Sequence, residues 1–283
     1  MKMKKRAMLS FICVGPQRTA SSWLDKRLRQ HHEIALPQSV KEIFFWDQRY
    51  SKGHDWYYQH FPTDRDSKVL GEIAPTCFDD IQAIKKIVAD NPSIKVLICL
   101  RDPIERTYSL FCHYYATGRI KGSFSDALKH NERLIESSKY SKYVPIWEQN
   151  AGQDNVLIIK QEGVKQNPML VLNEVCEFIG VNPIQWKATE EKYGQKVMPK
   201  SILITSFLSN LGRAFRYFGF HSIPELAKKI GVKKALYEGG TNKYPPLLES
   251  DRSRLLDEFA LEYQWINNLP AKDTFLLSEV EIN

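Results

Sequence analysis

The chain has 283 residues, enough to bury one large core, and its 43% hydrophobic, 26% charged and 12% aromatic residues are the mixture of an ordinary globular protein. The net charge of +7 suits an anionic partner, but the lysines and arginines are scattered rather than gathered into a stripe interleaved with aromatics, which argues against nucleic acid. Five cysteines without CxxC or zinc-type spacing argue against a disulfide framework, predict no metal site and point to a reducing, cytoplasmic setting. No run approaches the roughly twenty apolar residues that span a bilayer.

The basic start Met1 to Arg6 before the apolar Ala7 to Gly15 has the look of a secretory leader. A first core strand, Leu9 to Val14, is preferred, because the polar loop after it would be lost on cleavage. A helix to about His31 then carries Trp23, Leu24 and Leu28 on one face. Lys68 to Ile73 reads as a strand, followed by a helix with Ile81, Ile84, Ile87 and Val88 that ends at Asn91-Pro92. Lys95 to Leu100 is the clearest buried strand. It runs into Asp102-Pro103-Ile104-Glu105, a helix start with a capping side chain, a preset φ and a carboxylate near the positive end of the dipole.

That helix runs towards Gly118. Val156 to Lys160 is a further strand, Pro168 to Ile179 a helix closed by Gly180, and Glu249 to Asn268 a last helix. Between them, the apolar stripe over 201–220 reads as a helix packed in the core or under a lid. The alternation predicts an α/β fold: a single domain over 1–283, with a parallel β-sheet flanked by helices, a basic tail at 1–8 and a variable acceptor or lid region at 185–240 that is expected to shape acceptor choice. Ligands of such sheets bind beyond the carboxyl ends of the strands, so the chemistry belongs to the loops there.

Two loops qualify. Gly15-Pro16-Gln17-Arg18-Thr19-Ala20-Ser21-Ser22-Trp23-Leu24 offers backbone N–H groups at a helix start, three hydroxyls and a cation, the makings of a phosphate or sulfate cradle; a plain polar turn would look similar. It lacks the GxxxxGK[ST] pattern of a Walker loop. The second loop delivers Arg101 at a strand end, with Ser109 two helical turns on. An arginine so placed can take a phosphate through paired hydrogen bonds, or simply make a surface ion pair.

Together, the two segments resemble the PAPS-dependent sulfotransferases (PAPS being 3′-phosphoadenosine 5′-phosphosulfate), whose loops read G-x-x-[KR]-[ST]-x-[ST]-[ST]-W-L and R-[DN]-P-x-x-R-x-x-S. Lys41-Glu42-Ile43-Phe44-Phe45-Trp46-Asp47 resembles the K-E-x-x-F-F motif of the heparan-sulfate-like branch, and Gly71-Glu72-Ile73-Ala74-Pro75 its G-E-K-[ST]-P segment. Tyr143 to Trp147 and Gln161-Glu162 echo the stretch beyond, and Gly240-Thr241-Asn242-Lys243-Tyr244-Pro245 is similar to its K-G-R-K-Y-P loop.

The resemblance implies a P-loop-like sulfotransferase fold, with PAPS as donor and PAP, its desulfonated form, as product. It implies that Arg18, Thr19, Ala20, Ser21, Ser22 and Trp23 hold the 5′-phosphosulfate. Arg101 and Ser109 would hold the 3′-phosphate, and Thr241, Asn242 and Lys243 would close over it. Glu42 is the implied general base, with a salt bridge to a neighbouring lysine as its structural alternative. Lys41, Phe44, Phe45, His54 and His113 are candidates for acceptor contact. The chain departs from the pattern at Arg18, where lysine is usual, at Ile73, where the family has a cation, and at Gly240 and Asn242.

The expected function is transfer of a sulfuryl group to a hydroxyl or amine of a small natural product or a saccharide, by a monomer or homodimer in secondary metabolism. No nucleic acid, membrane or metal is expected. Loss of the lysine at Ile73 tilts the acceptor away from a polyanionic glycan. The rival readings are a nucleotide-dependent kinase, which the missing Walker lysine disfavours, and a non-catalytic nucleotide-binding module, which Glu42 beside two donor motifs disfavours.

Overall fold

The computed structural model describes residues 8–38, 40–62, 68–187, 198–217 and 244–269. In chain order it has β1 (Phe11–Gly15), α1 (Ser21–Leu28), β2 (Ile34–Ala35), α2 (His54–Tyr58), β3 (Val69–Ile73), α3 (Ile81–Asp90) and β4 (Lys95–Leu100). Then come α4 (Pro103–Ala116), α5 (Phe124–His130), α6 (Arg133–Glu136), α7 (Tyr140–Ala151), β5 (Val156–Lys160), α8 (Gln161–Gln166), α9 (Pro168–Ile179), α10 (Ile202–Tyr217), α11 (Glu249–Glu258) and α12 (Ala260–Asn267).

The chain divides into two compact units. The first comprises Met1–Arg101, Lys139–Thr189 and Leu261–Asn283. Its five strands are ordered β2-β3-β1-β4-β5, and every adjacent pair is parallel. Alternation along each strand sends successive side chains to opposite faces. Ile12, Val14, Val96, Ile98 and Leu100 face Ile84 and Ile87 of α3, Trp147 of α7, and Trp46 and Tyr57. Phe11, Cys13, Ile73, Leu97 and Cys99 face Trp23, Leu24 and Leu28 of α1 and Leu172 and Val175 of α9. Burial on both faces is why these strands read as unbroken apolar runs. Neighbours of β1 on its two sides come from later in the chain, so the topology reverses at β1, the place where such sheets open a crevice.

The second unit comprises Asp102–Ser138 and Glu190–Ala260. In it α4 begins as its sequence dictates: the Asp102 side chain accepts from the Glu105 N–H at 2.8 Å and Pro103 takes the first turn. Arg106 of α4 is fully buried, with its guanidinium bonded to the Ser138 hydroxyl and the Leu134 carbonyl. The Tyr108 hydroxyl donates to the Pro245 carbonyl at 3.0 Å, and Ser125 donates to Asp251 at 2.6 Å.

Two expectations are corrected. The last helix is two helices, interrupted at Phe259, whose φ of −102° and ψ of 14° leave helical values. The helix within 201–220 is present, but its apolar face is not core: Leu203 is 79% and Phe207 65% exposed. It buries Thr205 instead and brings Ser206 against Gly118, where a Cβ would come within 2.4 Å of the serine hydroxyl. The approach is close enough that glycine is required at position 118.

Candidate functional site

At the carboxyl end of β1, the loop from Gly15 to Ala20 turns the chain into α1. Gly15 has φ +85°, and a Cβ on it would lie 2.7 Å from Pro75 Cβ, so only glycine lets the loop pass the segment that follows β3. Thr19 is fully buried, and its hydroxyl donates to the Pro16 carbonyl at 2.6 Å, closing the loop on itself. Ala20 stands in the left-handed region at the helix start, and no side chain caps α1. The first N–H groups of that helix therefore carry the positive end of its dipole to the loop with no internal carboxylate on them.

The candidate donor residues divide by exposure. Arg18 and Ser22 are exposed and Ser21 is buried at the helix start. The Trp23 indole lies in the core with Leu24 and Leu28, while the Trp23 backbone N–H donates to the Ala20 carbonyl at 2.9 Å in the first turn of the helix. Arg101, half-buried just past β4, reaches back so that its Nη1 donates to the Arg18 carbonyl at 3.4 Å. The Arg101 carbonyl is held in turn by the Tyr140 hydroxyl at 2.9 Å. In the second unit, Ser109 lies on the buried side of α4. Thr241, Asn242 and Lys243 fall outside the described residues.

The turn that carries Lys41 and Glu42 sits against the same loop. Lys41 Nζ donates to Ser21 Oγ at 3.2 Å, to Ser22 Oγ at 3.1 Å and to Glu42 Oε1 at 3.3 Å. One cation thus joins two hydroxyls of the cradle to the candidate base. A half-exposed pair of this kind contributes at most about 1 kcal/mol to stability, so its consequence is placement. Among the described residues, the non-glycine residues with positive φ are Arg18, Ala20 and Phe44, at 75°, 78° and 57°. Such conformations cost about 1–3 kcal/mol each and gather where geometry serves function. Here all three lie in the cradle or beside Glu42.

The aromatic residues after Glu42 separate cleanly. Phe44 stays half-buried, with the Arg49 guanidinium over its ring at 6.0 Å. Phe45 is fully buried and stacks on Tyr57 with ring centroids 4.5 Å apart, so it packs the core and leaves no surface for an acceptor. His54 donates from Nε2 to Asp90 Oδ2 at 2.6 Å, and Tyr50 donates to the same oxygen at 2.8 Å, an arrangement that braces α2 on α3. His113 is half-buried on α4 in the second unit, its carbonyl accepting from the Thr117 N–H at 3.2 Å.

One buried carboxylate stands in a segment that the sequence analysis matched to the family without assigning it a role. Glu72 on β3 is fully buried beneath the Glu42 turn and accepts three hydrogen bonds, from the Ile43 N–H at 3.2 Å, Trp46 Nε1 at 3.0 Å and the Tyr57 hydroxyl at 2.6 Å. Burial drives its pKa up to about 7 against the opposing pull of those donors. The signal was a glutamate in the middle of an apolar strand, a residue almost never buried without partners. Among the described residues, no group of three His, Cys, Asp or Glu side chains is placed to hold a metal, and no helix is long and apolar enough to cross a membrane.

The sequence profile of the sulfotransferase domain matches residues 10–199, from β1 through the cradle, the Glu42 turn and Arg101. The chain belongs to the sulfotransferase family, the PAPS-dependent family whose two loops it carries. It is 28% identical over 275 residues to a bifunctional heparan sulfate N-deacetylase/N-sulfotransferase 1 of Caenorhabditis elegans, covering 91% of this chain and 29% of that protein. A Drosophila melanogaster bifunctional heparan sulfate N-deacetylase/N-sulfotransferase is 26% identical over 218 residues, 66% of this chain and 21% of its own length. The chain therefore spans less than a third of these curated relatives. A sulfotransferase structure from Alicyclobacillus acidocaldarius superposes with a TM-score of 0.59 at 21% identity, covering 80% of this chain and 96% of that one. This likeness extends the family's α/β fold to the sheet and helices described above.

Proposed function

We propose that the chain transfers the sulfuryl group of PAPS to a hydroxyl or amine of a saccharide or small-molecule acceptor, with Glu42 as general base. The observation that carries the reading is the Lys41 bridge, which joins Ser21 and Ser22 of the cradle to the Glu42 carboxylate. A cradle and a carboxylate joined in this way have the parts that in-line transfer needs: a donor grip, a proton acceptor and offsetting charge.

PAPS supplies an electrophilic sulfur attached to a phosphate leaving group. Glu42 takes the proton of the acceptor O–H or N–H as the acceptor's new bond to sulfur forms and the sulfur–oxygen bond to the 5′-phosphate breaks. Arg18, Lys41, the Ser21 and Ser22 hydroxyls and the first N–H groups of α1 offset the charge left on the departing phosphate oxygen. Fixed donors aimed at developing charge are the largest single source of such acceleration. Arg101 and Ser109 are assigned to the 3′-phosphate on the strength of the motif they share. Phe44, half-buried two residues on from Glu42, is left to meet an acceptor where Phe45 is not.

An amine-bearing saccharide is the first acceptor to try, because the curated relatives are named as heparan sulfate N-sulfotransferases. Replacement Glu42→Gln keeps size and shape and removes the base. Its expected effect is a loss of about 10²–10⁴-fold in turnover of PAPS with N-deacetylated heparosan, while calorimetry shows PAP bound as in the wild type. Turnover unchanged in Glu42→Gln would remove the base from the mechanism.

A further inference from the structure

Glu72 has no place in the chemistry above, yet its carboxylate ties the Glu42 turn to the central sheet by accepting three hydrogen bonds. Its Oε1 takes the N–H of Ile43, the residue next to Glu42. Its Oε2 takes Trp46 and Tyr57, which fix the far side of the same turn. In the sheet, Glu72 stands in register with Ile12 of β1, one residue before Cys13 and the bulge that leads into Gly15. Three residues on from Glu72, Pro75 presses on Gly15 and limits where the cradle can run. The short segment Gly71–Pro75 thus touches both halves of the site, the cradle through Pro75 and the base-bearing turn through Glu72.

We infer that Glu72 is a positioning residue for sulfuryl transfer: through the Ile43 N–H it sets where Glu42 stands relative to the phosphosulfate cradle. This rests on the reading of Glu42 as the base. A purely apolar contact could have filled the same volume in a fully buried place. A carboxylate there is costly unless every lone pair facing protein is matched, and a matched carboxylate fixes direction as well as distance. Its pKa near 7 records that cost. Trp46 and Tyr57 lock the orientation of the carboxylate, which leaves its other oxygen aimed at the one backbone N–H that adjoins Glu42.

The test compares Glu72→Gln, Tyr57→Phe and Glu42→Gln with the wild type. Turnover is read as PAP released from PAPS, with N-deacetylated heparosan and with water alone as acceptor, and PAP affinity is read by calorimetry. In Glu72→Gln an amide must present either its oxygen or its NH₂ to the Ile43 N–H while the other end meets Trp46 and Tyr57, so one side is mismatched. The expected result is PAP affinity and KM for PAPS within about threefold of wild type and kcat down by about tenfold or more, since small displacements of a reacting group cost that much. Tyr57→Phe removes one bond on the Oε2 side and keeps the Trp46 and Ile43 bonds, so kcat is expected to fall less than in Glu72→Gln, with PAP affinity unchanged.

A kcat for Glu72→Gln within twofold of wild type would overturn the inference, provided Glu42→Gln is inactive. Equal losses of PAP affinity and kcat in Glu72→Gln and Tyr57→Phe would overturn it too, by showing a general defect of the core. If Glu42→Gln is fully active, or wild type releases no PAP under either condition, the underlying reading of the base fails first and the inference fails with it.

Discussion

At the scale of single residues, the informative groups are those that break a local rule. Glu72 breaks the rule against buried carboxylates and Phe44 stands in a left-handed conformation that phenylalanine rarely adopts. Glu72 also carries a stability signature whose sign follows from its shift. A carboxyl raised from 4.5 to about 7 in the fold binds more proton when folded than when unfolded between those values. Its ionisation therefore opposes the fold, and stability from this group falls as pH rises through that window.

Urea unfolding at pH 5 and pH 7.5 should show the wild type losing on the order of 2 kcal/mol relative to Glu72→Gln between the two. Parallel pH dependence in the two proteins would mean that Glu72 is not raised. Sequence alone gave the identity of Glu42, Lys41 and Arg101 as candidates, because their motif spacing is local. It could not separate Phe44 from Phe45, or His54 from a substrate ligand, because burial against Tyr57 and the bond to Asp90 are made by residues distant in the chain.

At the scale of elements, β4, β5 and α9 lie where the apolar runs and Gly180 put them, and α4 starts on its Asp102 cap. Those signals are contained within a few residues. The break at Phe259 and the outward apolar face of α10 depend on what each helix packs against, which no periodicity within the helix records. The join between β1 and α1 is the element on which the site depends most. Gly15→Ala combines a φ of +85° with a contact of 2.7 Å to Pro75. The expected outcome is a loss of about 1–3 kcal/mol in urea unfolding with PAP affinity reduced at least tenfold. A variant that keeps wild-type PAP affinity would show that the cradle tolerates a different path.

At the scale of the whole molecule, a parallel sheet whose order reverses at β1 places the cradle, Arg101 and the Glu42 turn beyond the carboxyl ends of the central strands of the first unit. The sheet and its flanking helices could be read from the alternation of apolar runs. The division into two units could not, since Asp102–Ser138 and Glu190–Ala260 are separated by 51 residues that belong to the first unit, Lys139–Thr189. The expectation that acceptor choice lies in 185–240 concerns residues that for the most part fall outside the described structure.

The central claim is that the chain is built to bind the donor nucleotide of a sulfotransferase. Calorimetry of PAP with the wild type and with Arg101→Ala tests it most directly, with ATP and Mg²⁺ as the competing ligand. The account predicts micromolar PAP binding by the wild type, a loss of about 30-fold or more in Arg101→Ala, as expected for removing a charge-assisted phosphate contact, and weaker binding of ATP. PAP binding unchanged by the substitution, or ATP bound in preference to PAP, would contradict it.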